Sequence, residues 1–303
     1  MSGGNNFMIV ITKDNTPQEV LSMLSAITPD PAKAIYESIT STYEYKGTST
    51  DYLLYDTLDM ILSDKRGIVA ASITIDTHED ESKNDEEKNA KNQGSSQTEK
   101  KDALSLEQSG SSNGSSSSSK ETSTNSFKVT ELAYFENRKF KGYLEDNDTI
   151  VYNLLQNKLK GNVLSIDKGD NLIAYGINDT KAKLNPKFEN DNFVIDIDLK
   201  VSGNITECGK NIRENMNNNY NEYKSKIEDI IKGKIEDAID NYKYKYNVDI
   251  VGFEDLIYKK MNSKYKEIGD EFKEKYFENI KVNVKVNAEI PLEGGDVVNG
   301  RNK

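Results

Sequence analysis

The chain has 303 residues, a net charge of −11, a hydrophobic share of 35%, one His, one Cys and no Trp. One His and one Cys exclude a Cys/His zinc site and an internal disulfide, and the acidic balance argues against nucleic acid, whose phosphates need a clustered basic face. No run of about 20 apolar residues is present to span a membrane, and Met1–Asn6 has no positive leader, so the chain as written reads as soluble, without signal or anchor.

Phe7–Thr12 reads as a buried strand. Thr16-Pro17-Gln18-Glu19 then has the marks of a helix start: an N-cap hydroxyl, proline at the first helical position and glutamate at the third. Val20, Leu21, Leu24 and Ile27 form its apolar face, and Pro29 and Pro31 end it. Further helices are expected over Ala32–Thr42 and Asp51–Leu62, the latter facing a core with Leu54, Leu58 and Ile61. Ile68–Ile75 is a β-branched strand. Two strands cannot by themselves cover three helices, so residues 1–76 read as the remnant of an N-terminal α/β-type domain.

Residues 77–126 contain four hydrophobic residues, Ala90, Ala103, Leu104 and Leu106, among Ser, Asn, Lys and acidic residues. Such composition does not offset the entropy of ordering, so the segment is expected to be a disordered Ser/Asn/Lys-rich insertion. Without it the hydrophobic share rises to about 40%, nearer the roughly 45–50% of globular domains.

Residues 127–178 read as a small middle α+β domain. Lys128–Phe135 and Phe140–Leu144 make a hairpin about Asn137-Arg138-Lys139, Asp146-Asn147-Asp148 offers cap oxygens to a helix ending near Leu159, and Asn162–Ile166 and Leu172–Tyr175 are short strands about the turn Asp167–Asp170. Residues 179–303 read as a C-terminal α+β domain. Ala182–Phe188 and Phe193–Val201 pair through Asn190-Asp191-Asn192, the second alternating apolar and polar residues. A long helix, Lys210–Tyr246, carries a stripe through Tyr223, Ile227, Ile230, Ile231, Ile235, Ala238, Ile239 and Tyr242. Asp249–Phe253 interrupts it, two helical pieces follow (Glu254–Met261 and Ser263–Phe277), and Ile280–Ile290 closes the chain as an alternating strand. The fold class is therefore α+β: multi-domain, with mixed and antiparallel sheets, packed helices and one long insertion.

Paired carboxylates are the catalytic constellation this composition permits. Asp196 and Asp198 share one strand face and could bind a hard cation or act as acid and base; on an amphipathic strand they are equally the charges of a wet face. Asp146 and Asp148 are more economically a helix cap than a metal site. Cys208, near the start of the long helix, could have a lowered pKa, but it has no second Cys or His beside it and reads as an incidental small residue. His78 reads as a solvated linker residue. Tyr220, Tyr223, Tyr242, Tyr244 and Tyr246 alternate with acids as well as lysines, the pattern of a half-buried helix more than of a base-stacking surface.

Three segments carry a resemblance. Phe135–Leu144, with Lys141-Gly142-Tyr143-Leu144, resembles the hairpin of the Ger(x)C spore germination proteins; Asp249-Ile250-Val251-Gly252-Phe253 resembles their Asp-Ile-Phe-Gly-Phe signature, with Val251 in place of the aromatic; and Ile280–Pro291 is similar to their closing valine-rich strand. The resemblance implies the C subunit of a nutrient germinant receptor, without catalysis, cofactor or metal. Such subunits are lipoproteins on the outer face of the spore inner membrane, assembled with integral-membrane A-type and B-type subunits. By that pattern this chain lacks the signal and lipid-bearing Cys and the first part of domain 1. Gly142, Tyr143, Leu144, Asp249, Gly252 and Phe253 are then motif positions serving turns and packing. The rival readings are an extracytoplasmic small-ligand module, which needs a concave pocket, and a carboxylate-dependent hydrolase, which needs Asp196 and Asp198 in a cleft beside another acid.

Overall fold

Where a strand begins or a helix stops is set by a few local residues. At the first helix, α1 (Pro17–Ile27), Thr16 is the N-cap and its hydroxyl accepts from the Glu19 N–H, while the Glu19 carboxylate accepts from the Thr16 N–H at 2.7 Å. The cap is exposed and owes little to tertiary contacts, so Thr16→Ala should cost about 1 kcal/mol, read as a lower urea midpoint with an unchanged slope. α2 (Pro31–Lys46) starts at Asp30, whose side chain accepts from the Lys33 N–H, and stops at Gly47 in the left-handed conformation. In the computed structural model these elements belong to the described residues 8–76, 126–166, 172–210, 220–268 and 271–290; His78, the turn at 167–170 and the expected insertion up to 125 lie outside them.

The chain continues through α3 (Leu54–Ser63), β2 (Ile68–Asp76), β3 (Ser126–Glu136), β4 (Lys139–Tyr143) and α4 (Asp146–Leu155). With β1 (Val10–Thr12) these strands make one four-stranded sheet in the order β1-β2-β3-β4. β1 and β2 run parallel, β3 and β4 antiparallel about the left-handed pair Asn137-Arg138. The two early strands are thus completed by the hairpin from beyond residue 125, which removes the reason for reading 1–76 as a separate remnant.

The second sheet, in the order β5-β6-β7-β8, is built from β5 (Asn162–Ile166), β6 (Ile173–Glu189), β7 (Asn192–Cys208) and β8 (Lys281–Glu289). β6 and β7 form a hairpin of two 17-residue strands through left-handed Asn190 and Asp191. Where two short strands and a gap are expected, β6 is continuous: Ile177–Asp179 is a register shift, and the strand runs through the boundary expected at 178/179. β8 pairs with β7 in parallel, Ile195 opposite Val282 and Leu199 opposite Val286.

The long helix is α5 (Tyr220–Asp240), which continues as a π-helical turn at Asn241–Lys245; 211–219 lie outside the described residues. Tyr223, Ile227, Ile231, Ile235, Ala238 and Ile239 are buried and face the apolar side of the second sheet, where Phe193, Ile195, Ile197 and Leu199 are nearly solvent-free. α6 (Phe253–Lys260), α7 (Asn262–Ile268) and a π-helical piece, Phe272–Phe277, complete the crossover to β8. The architecture is α+β, and the described residues within 1–74 and 127–303 form one compact unit.

Two expected faces come out differently. α3 buries Thr57 and Met60, leaving Leu54 and Leu58 partly exposed and Leu62 78% exposed. α1 buries Val20 and Leu24 but leaves Leu21 and Ile27 outward. Apolar residues on these short helices are more numerous than the sheet can cover, so periodicity alone picks the wrong stripe.

Candidate functional site: the joint around Asp249

Asp249 lies in the loop before α6, and its carboxylate oxygens accept from three successive backbone N–H groups, those of Gly252 (2.8 Å), Phe253 (2.9 Å) and Glu254 (2.7 Å). These are orphan donors of the α6 N-terminus, where negative charge is also favoured by the helix dipole. Burial pushes the carboxyl up to about 6, although the three backbone donors pull the other way. Gly252 has φ +87°, which a side chain resists, and Arg66 packs against it, with its Cβ 3.4 Å from where a Gly252 Cβ would stand. Phe253 is 1% exposed and joins the core.

The loop is tied to two other segments. Its Asp249 carbonyl accepts from Gly67 N–H at 2.8 Å, next to β2, and its Val251 carbonyl accepts from Gln156 Nε2 at 2.9 Å, at the end of α4. Arg66 donates onward to the Tyr152 hydroxyl, which is 2.6 Å from the Tyr52 hydroxyl; burial raises the pKa of both phenols, so the pair stays neutral and hydrogen-bonded. Tyr152→Phe would leave the Tyr52 hydroxyl without its tyrosine partner and cost about 2 kcal/mol, measured by chemical denaturation at neutral pH.

The hairpin motif supports the same region. Gly142 pairs with Tyr134, whose ring lies 3.2 Å from where a Cβ would sit. Tyr143 takes the Lys13 ammonium over its ring at 4.8 Å. Leu144 is fully buried and its N–H donates to Leu132. Tyr134 in turn meets Tyr246 edge-on at 5.2 Å. The hairpin turn residues Asn137 and Arg138 and the loop residue Asp249 line one small cleft with a cavity volume of about 80 Å³, with Met60, Arg66 and Phe277. Thus the two motifs, more than 100 residues apart in sequence, meet at one place.

The other candidates fall elsewhere. Asp196 pairs with Lys187 at 2.6 Å and accepts from Asn283 at 2.8 Å, and these partners hold its carboxyl below the usual range. Asp198 is exposed on the same open strand face, between Lys183 and Lys285 in register. Neither lines the cleft, so the hydrolase reading loses its site. Asp148 does not cap α4: Glu145 holds that position, and Asp148 is buried, accepting from Asn241 and from the Tyr246 hydroxyl at 2.6 Å. Cys208 ends β7, opposite Ile173, and is not at a helix start. Of the tyrosines, Tyr223 and Tyr242 are buried, whereas Tyr244 is exposed. Arg66, Tyr52 and Tyr152 were missed by the motif reading; the one available signal was that Arg66 is one of four arginines in a lysine-rich chain. Among the described residues, no group of three or more acidic, His or Cys side chains could hold a metal ion, and no helix is long and apolar enough to cross a membrane.

An α+β chain with this hairpin, this capped loop and a closing parallel strand in that order has the organisation expected of a spore germination protein. Residues 130–294 match the family described as "Spore germination B3/ GerAC like, C-terminal", and the chain belongs to that family. A solved structure described as "Crystal Structure of the GerBC protein" is similar with a TM-score of 0.47 and 17% identity, over 55% of this chain and 52% of that one, so the match spans about half of that protein's length. Among curated proteins no match is found.

Proposed function

We propose that the chain serves as a non-enzymatic C-type subunit of a spore germinant receptor, coupling integral-membrane A-type and B-type partners at the outer face of the spore inner membrane. The observation that carries this reading is the state of the family loop. Its carboxylate is committed to the α6 N-terminus and two of its carbonyls to neighbouring segments, so these groups of the signature hold shape. A subunit built this way acts through its surfaces, and it needs no cofactor or metal. Tagged protein recovered from spores is expected to bring both multi-span partners with it; recovery alone, in the soluble fraction of vegetative cells, would count against the proposal.

The cleft beside Asp249 favours a second reading, a small-ligand module. It brings cations (Lys65, Arg66, Arg138, Lys273) and anions (Asp64, Glu136, Glu254) over an apolar floor of Met60, Phe272 and Phe277. A zwitterion such as a free amino acid suits such a lining. A rise in melting temperature with amino acids, lost in Arg66→Gln, supports this reading, and no shift with any of them removes it.

A further inference from the structure

The open face of the second sheet has a charge opposite to that of the molecule. Register places its outward side chains in successive rows across β6, β7 and β8: Lys187, Val194 and Lys281; Asn185, Asp196 and Asn283; Lys183, Asp198 and Lys285; Lys181, Lys200 and Asn287. These four rows hold six lysines against two aspartates, on a chain whose net charge is −11. The lysines are all exposed. Lys187 is neutralised by Asp196, but Lys181, Lys183, Lys200, Lys281 and Lys285 form no ion pair among the described residues. Acids return only at the ends, with Asp179 and Glu289 flanking Ser202 in the next row and Glu189 at the hairpin turn. Neighbouring rows lie about 7 Å apart and neighbouring strands about 4.8 Å, so the unpaired ammonium groups form a grid of like charge. Self-repulsion makes such a grid unfavourable for the isolated chain.

We propose that this face docks on the surface of an anionic lipid bilayer. Three features choose that occupant. The face is an open sheet, and Val194, its one apolar side chain in these rows, is 7% exposed. No aromatic side chain stands in the rows, so the stacking platforms that accompany cations in single-strand nucleic-acid binding are missing. The cations are all lysine and none is arginine. Cores of protein–protein interfaces favour Arg and aromatics and are depleted in Lys, whereas lipid headgroups are mobile anions that arrange themselves under point charges without demanding a matching shape. Lys260, whose ammonium donates to the Leu184 carbonyl at the β6 edge, extends the basic margin. The acidic remainder of the chain would be held away from the lipid, so the contact also fixes orientation.

Flotation of the full chain with vesicles tests this. With vesicles of phosphatidylcholine and phosphatidylglycerol in equal parts, the protein is expected to float at ~0.1 M salt and to be released at ~1 M, where the screening length falls to about 3 Å; with phosphatidylcholine alone it stays in the pellet. Each lysine is worth about fivefold in partitioning. The quadruple variant Lys181→Gln, Lys183→Gln, Lys200→Gln, Lys285→Gln should therefore lose about a hundredfold or more while melting at or above the wild-type temperature, since these side chains are exposed and form no ion pair and their mutual repulsion is relieved. A control with the same change in net charge, Lys33→Gln, Lys232→Gln, Lys259→Gln, Lys275→Gln, alters helix-surface lysines in i,i+4 pairs and should bind as wild type. Equal loss in the control, undiminished binding by the quadruple variant, or no flotation of the wild type overturns the proposal. Retention on immobilised polyglutamate with no binding to anionic vesicles also overturns it and assigns the face to an acidic protein.

Discussion

Replacing Gly203 by alanine is expected to cost about 3 kcal/mol or more. A Cβ there would stand 2.2 Å from the Gly176 carbonyl oxygen and 2.7 Å from the Tyr175 ring. The carbonyl belongs to the neighbouring strand, and Tyr175 is fully buried with its hydroxyl donating to the Glu289 carbonyl. Neither can move without opening the sheet where β6, β7 and β8 meet. Two other glycines calibrate the result. A Cβ on Gly176 would meet a Thr206 methyl at 2.8 Å, on a side chain that can rotate, so Gly176→Ala should cost less than Gly203→Ala. Gly233 in the middle of α5 has nothing within 4 Å of that position, so Gly233→Ala should stabilise by about 0.5–1 kcal/mol through helix propensity. Denaturant midpoints of the three variants should fall in that order; equal midpoints for Gly203→Ala and wild type would show that the strands separate more easily than the geometry implies.

Removing the Asp249 carboxylate is expected to cost about 4 kcal/mol, because Asp249→Ala leaves three backbone donors at the α6 N-terminus without their acceptor. Asp249→Asn keeps the shape and isolates the charge. The folded pKa is raised from the ordinary 3.8 to about 6, so the folded state binds the proton more tightly than the unfolded chain. The group's contribution is therefore fully present below about 3.8 and is lost as pH rises towards 6. Over that window wild-type stability should decline by about 2–3 kcal/mol relative to Asp249→Asn. A constant difference between the two across the window would mean that the three N–H donors offset burial and the carboxyl titrates in its ordinary range.

The local features of this fold were legible because they depend on neighbours in sequence. The Thr16–Glu19 capping box, the left-handed turn residues Asn137, Asn190 and Asp191, and the alternation along β7 are consequences of side-chain reach over two to four residues. What was not legible depends on distant segments. Asp148 has the composition of a cap, yet Asn241 and Tyr246 take its oxygens. Gly176–Asp179 has the composition of a turn, yet it stays paired with β7 through a register shift. The motif loop could be found from its pattern, but its tie to Arg66, Gly67 and Gln156 could not, since nothing in the spacing links residues about 90 or 180 positions apart. The lysine grid shows the same limit from the other side. Its members are ordinary wet-face residues in each strand, and they become a surface only when parallel pairing sets β8 beside β7.

That parallel pairing also sets an order of events. A hairpin such as β6–β7 can close as soon as its two strands leave the ribosome, because its turn is two residues long. β8 lies beyond α5, α6 and α7, and its partner residues on β7 are more than 80 positions back in the chain. Until the helical crossover is in place, the edge of β7 stays unpaired and the apolar stripe of α5 has only part of its floor, a long-lived state for contacts of such sequence separation. The second sheet is therefore a clasp that β8 fastens, and the nascent protein is most exposed to mispairing until β8 has emerged.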